Sequence, residues 1–169
     1  MQTTAPSRPA AAPAVARRQF PVAIALRVVG AVSLAVSAWV HRRLYVVDGY
    51  RDIHLDRVLG IDLSRSILLQ VITAAVVALA LLVSLRVPVL ALPASAMGAL
   101  VSLGSLGAYY QVRNSDLLGF TEGQWTTDAK VAVASEVVGA VVLVAAVAMS
   151  LVAARRPVTE RAAADASMA

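Results

Sequence analysis

Four stretches of this chain are apolar almost throughout, without the period-two alternation of a half-buried strand. They cover about residues 22–40, 67–85, 89–108 and 131–153. At about 1.5 Å per residue, 19–23 helical residues reach about 28–35 Å, enough to cross a hydrocarbon core of about 30 Å. Lipid offers no partners to an open backbone, so each span is read as an α-helix. The tripeptide Arg86-Val87-Pro88 separates the second and third spans. Proline ends one helix and suits the start of the next, so these two spans are read as an antiparallel hairpin. Two longer segments, 41–66 and 109–130, then lie together at the opposite end. Residues 1–19 are rich in Ala, Pro and other small residues with no apolar period, and read as a disordered tail. Residues 155–169 read as a second tail. The pattern predicts an all-α integral membrane four-helix bundle over 20–154.

Composition sharpens this picture. Of 169 residues, 59% are hydrophobic and 15% charged, against about 25% charged in an average soluble domain. A globule of this size has too little interior for so much apolar surface. A disordered chain is excluded, and the balance argues against an ordinary soluble domain. The chain has no cysteine, which removes disulfides, thiol redox chemistry and Cys-based metal sites. His41 and His54 are too close in one segment to hold a haem between two helices. No cofactor is expected.

The net charge is +5 and the isoelectric point near 10.4. Fourteen of the fifteen basic residues are arginines, most of them beside the spans. Such charges anchor and orient a membrane protein. No basic run is interleaved with aromatics, so the lipid bilayer is the expected partner and nucleic acid is not. Lys and Arg are tied at seven on each side of the membrane. Arg17-Arg18 and Arg155-Arg156, unopposed by nearby acids, favour both termini in the cytoplasm and the chain in the plasma membrane. Seven of the eight aromatic residues fall at or beyond the outer ends of the spans. Amphipathic rings suit the headgroup level, and they would equally line a vestibule. Arg17-Arg18-Gln19-Phe20 resembles the start of a twin-arginine signal. Arg27 inside the first span and the three later spans argue against cleavage.

Two ionisable residues interrupt the spans. Arg27 is near the inner end of the first, and its long side chain can snorkel to the headgroups. Glu136 is about five residues inside the outer end of the fourth. A carboxyl at that depth either faces a wet or polar interior or is protonated. The two lie in opposite halves of the bilayer, which argues against a direct pair. His41, at the outer end of the first span, is the better partner for Glu136. Arg27, Gly30, Ser33, Ser37 and His41 share one helical face, while Trp39 projects toward lipid. Ala94, Gly98 and Ser102 recur every fourth residue, a spacing that lets backbones approach. Gln70 adds a polar group in the outer part of the second span.

The segment 41–66 holds an Asp48-Gly49 turn and an amphipathic stretch, and Asp62 or Ser64 is a cap for the second span. Thr127 or Asp128 would cap the fourth. The acids here are neighboured by arginines and lack metal-ligand spacing, so no metal site is expected. The candidate site is an outward polar pocket lined by His41, Gln70 and Glu136, with Tyr45, Tyr50 and Arg51 above. Its expected occupant is a partner helix, a lipid or a small apolar molecule, and a homo-oligomer is a further expectation. Competing readings are a structural carboxyl bonded to a neighbouring helix, an oxidoreductase or quinone-handling subunit, and a proton or ion carrier using Glu136.

Three motifs carry a resemblance: His41-x-x-Leu44-Tyr45, Gly49-Tyr50-Arg51-x-Ile53, and Leu68-Leu69-Gln70. With Gly119-Phe120-x-Glu122 and Glu136, they resemble a group of uncharacterised four-span actinobacterial integral membrane proteins over about residues 22–153. His54-Leu55-Asp56 stands where that group has a proline-containing turn. The layout is also loosely similar to DoxX-like membrane proteins in topology. The resemblance implies the four-helix fold and carries no activity.

Overall fold

The computed structural model describes residues 14–48, 50–52, 62–115 and 126–167, with side chains from 21 to 154 within those ranges. It is all-α among the described residues. Helix α1 spans Ala14–Val46, α2 Leu63–Val83, α3 Ala91–Asn114 and α4 Thr127–Ser167. Single 3₁₀ turns lie at Tyr50–Asp52 and Pro88–Leu90. Each helix carries a stretch long and apolar enough to cross a membrane: Pro21–Val46, Leu63–Val83, Pro88–Asn114 and Thr127–Ala154. The chain is a multi-pass membrane protein.

The helices follow one another round a ring. Helix α1 packs on α2 and α4, and α3 packs on α4 and more lightly on α2. Helices α1 and α3 approach across one diagonal, whereas among the described residues α2 and α4 do not meet across the other. The interior is built from small residues. Ala31, Leu34 and Ala38 of α1 meet Ala74, Val77 and Leu81 of α2, Ala94 and Ala99 of α3, and Leu143 of α4. Leu143 fills the space above two glycines. A Cβ on Gly98 would lie 2.6 Å from its Cδ1, and a Cβ on Gly30 would overlap the same leucine. Apolar residues meanwhile cover the outside of every helix, with Trp39 57% and Val141 66% exposed. A water-soluble monomer does not carry so continuous an apolar surface.

The ends of the helices show how polar groups are satisfied. Asp62 caps α2, its carboxyl accepting from the Arg65 backbone N–H at 2.9 Å. At the far end of α2, the Ser84 carbonyl accepts from Arg27 Nη1 at 3.1 Å. Arg27 Nε donates to Ala23 O, also at 3.1 Å. The side chain thus reaches back toward the α1 N-terminus as a snorkelling arginine does, but it finishes on a helix end. The cap of α4 is Thr126, whose Oγ1 accepts from the Ala129 backbone N–H at 3.1 Å. That corrects the expectation of Thr127 or Asp128. Asp128 is instead held by Arg43 of α1, with Nε and Oδ2 3.3 Å apart.

Helix α1 begins at Ala14, inside the stretch read as a tail, and α4 continues to Ser167. The Gly119-Phe120-x-Glu122 motif, Ile53, and the amphipathic stretch of the first outer segment lie outside the described residues.

Candidate functional site

The polar face of α1 turns inward. Gly30, Ser33 and Ser37 are buried, and His41 is partly buried beyond them. Opposite stands Glu136, buried to 2% exposure on α4. It lies nine residues from the start of α4 at Thr127, a depth of about 14 Å at helical rise. Gly139 and Ala140, one turn further along, keep this face of α4 narrow, so α1 and α3 come close enough to bond the carboxyl.

Three helices converge on one carboxyl oxygen. Ser37 Oγ of α1 donates to Glu136 Oε1 at 3.0 Å. Ser105 Oγ of α3 donates to the same oxygen. His41 Nε2 lies 3.9 Å from it. The imidazole is oriented by its other nitrogen, since His41 Nδ1 is 2.9 Å from the Ser37 carbonyl. A carbonyl only accepts, which assigns a hydrogen to Nδ1 and turns Nε2 toward the carboxyl. Glu136 Oε2 receives no hydrogen bond among the described residues.

This cluster borders a cavity of about 290 Å³ at the end of the bundle where α1 and α3 finish and α2 and α4 begin. Four of the six expected residues line it: His41, Tyr50, Gln70 and Glu136. Its remaining wall is mostly apolar, with Leu44, Leu63, Ile67, Val112 and Val133, and with Ser66, Tyr109 and Thr126 as further polar members. Tyr45 and Arg51 do not line it. The cavity follows the Leu44 flank of α1, and Arg51 turns outward, its Nε 3.3 Å from Asp52 Oδ2. The Arg51 backbone still matters, because its carbonyl accepts from Ser64 Oγ at 3.0 Å and ties the 3₁₀ turn to the start of α2.

Gln70 contributes a buried Nε2 with no hydrogen-bond partner among the described residues. Such a donor inside a protein normally has an acceptor. No group of three or more His, Asp or Glu gathers among the described residues to hold a metal ion. The arrangement is suited to holding the polar end of a mostly apolar molecule.

Sequence reasoning missed Ser105. The signal was present, because Gly98, Ser102 and Ser105 follow the i, i+4, i+7 spacing of a single helical face. Extending the small-residue stripe by one step would have placed Ser105 with Ser102 in the bundle. Tyr109, four residues further, continues that face into the cavity.

No protein family, curated protein or solved structure matches the chain.

Proposed function

We propose that this is a non-enzymatic protein of the plasma membrane whose outward-facing cavity binds a small, largely apolar molecule through His41, Gln70 and Glu136. Both termini lie in the cytoplasm in this reading, and the likeness to four-span actinobacterial proteins belongs to it. One observation carries the proposal. A carboxyl shared by α1, α3 and α4 is buried beside an apolar cavity, and only one of its oxygens accepts a hydrogen bond among the described residues. A carboxyl kept only to join helices gains nothing from an adjoining space. A buried polar group in a membrane span is expensive and is a sign of function.

The test is to purify the wild-type protein, Glu136→Ala, His41→Ala and the lipid-face control Val141→Ala in mild detergent, then extract and weigh bound small molecules by mass spectrometry. A molecule near one per chain should accompany the wild type and Val141→Ala and be lost from the other two. Equal recovery from all four, or from none, would sink the proposal.

Orientation has its own test, made clean by the absence of native cysteine. Single substitutions Asp48→Cys and Ser115→Cys should react with an impermeant maleimide on intact cells. Ser7→Cys and Ser167→Cys should react only after lysis. The opposite pattern would invert the cavity toward the cytoplasm.

A further inference from the structure

The cavity has a side as well as an end. Ser102 of α3 packs on Gly139 of α4, where a Cβ would lie 2.7 Å from its Oγ. At 100° per residue, Gly104 and Ala108 lie about 200° and about 240° round α3 from Ser102, on the flank toward α2. Both line the cavity, and both are exposed. Among the described residues, no neighbouring atom lies within 4 Å of where a Cβ on Gly104 would stand. Ile67 and Gln70 line the cavity from α2. Of the pairs adjacent round the ring, α2 and α3 touch least. They are held by a tight turn at the far end of the bundle, and at this end both contribute to the wall of the cavity.

The polar atoms in the cavity restrict what enters. Among the described residues no Lys or Arg lines it, and a carboxyl does, so an anionic headgroup would find no ammonium or guanidinium partner there. Gln70 Nε2 is a donor and requires an acceptor. Glu136 Oε2 is the other open position. An alcohol hydroxyl both donates and accepts, and satisfies the two together. An ammonium head has no lone pair for Gln70.

We infer that the cavity takes a neutral, hydroxyl-headed single-chain lipid, which enters from the bilayer between α2 and α3 and leaves its chain in the gap beside Gly104. This rests on the proposed binding function and adds the class of ligand and its route. The hydroxyl sits between Glu136 and Gln70, and the apolar wall takes the first part of the chain. The missing side chain at Gly104 lets the rest pass into the surrounding lipid.

The test uses three probes of equal chain length, decan-1-ol, decylamine and decanoic acid, added to the full chain in nanodiscs and read by native mass spectrometry. Decan-1-ol should bind saturably at one per chain, with the amine and the acid at least about tenfold weaker, because a site built to hydrogen-bond a hydroxyl rejects heads that leave its groups unpaired. Gly104→Leu should weaken decan-1-ol at least about tenfold by filling the gap, without lowering the melting temperature. Ala108→Leu, one turn away, should do the same and guards against a local folding defect. If Gly104→Leu and Ala108→Leu both bind like the wild type, entry is not through this seam and the inference falls. Amine or acid binding as tight as the alcohol overturns the ligand class, while loss of that binding in Glu136→Ala leaves the underlying site standing. If none of the three binds but another molecule co-purifies, the class is wrong and the cavity remains a binding site. If nothing binds or co-purifies, both readings fail.

Discussion

Leu143→Ala should cost the bundle about 2–5 kcal/mol of stability, the range for emptying a well-packed leucine site. Helices already in lipid gain little from hiding apolar surface, so close packing is what holds them together. Leu143 is fully buried and fills the space above Gly30 of α1 and Gly98 of α3, so it joins three helices at once. The reverse change is also costly. A methyl on Gly30 has to displace the leucine, and overpacking of this kind costs about 1–3 kcal/mol. The two changes compensate each other. Gly30→Ala combined with Leu143→Ala should be less damaging than the sum of the single variants, by at least about 0.5 kcal/mol. Steric trapping in bicelles or an SDS titration gives the cycle. Simple additivity would show that Leu143 is not the contact these glycines serve. The same contact supports the cavity, since Leu143 lies seven residues from Glu136 on one face of α4 and sets how closely α1 and α3 approach there.

The four helices were legible because long apolar blocks in one chain have few other solutions. Their ends were harder to read. The residues from Ala14 to Gln19 have the composition of a tail, yet alanine is the best helix former, and α1 extends through them. Helix α4 runs on past its span to Ser167 for the same reason. Thr127 and Asp128 looked like the better caps in isolation. A tertiary contact decided otherwise, because Asp128 is engaged by Arg43 and Thr126 is left to cap. At the site, depth was readable by counting residues, which placed His41, Gln70 and Glu136 at one level. Rotation round α1 was less so. Tyr45 lies only about 40° from His41 on the helix, but the cavity opens on the other flank, at Leu44. Arg27 could be separated from Glu136 by depth alone. That it ends on the Ser84 carbonyl depends on where α2 stops, which the spans alone leave uncertain by a turn.

Replacing the polar cluster as a whole should be far less harmful than removing its centre. Glu136→Ala leaves Ser37 Oγ and Ser105 Oγ as donors without their shared acceptor. Unpaired buried groups cost about 1–3 kcal/mol, reduced where a serine hydroxyl can turn back to the carbonyl one helical turn earlier. The single variant should therefore melt below the wild type. The triple variant Ser37→Ala, Ser105→Ala, Glu136→Leu removes donors and acceptor together and fills the space with hydrocarbon. Buried polar sets exchanged for apolar groups of similar volume are often neutral or stabilising. The triple variant should then match or exceed the wild-type melting temperature while retaining none of the co-purified molecule. That combination separates the two roles open to Glu136. A carboxyl kept only to fasten α1, α3 and α4 would bring no bound molecule with the wild type, so the triple variant would have none to lose. A carboxyl kept for a ligand would let the bundle regain its stability as the site disappears. The space beside Glu136 and the unpartnered amide of Gln70 favour the second outcome, because neither serves the fastening of helices.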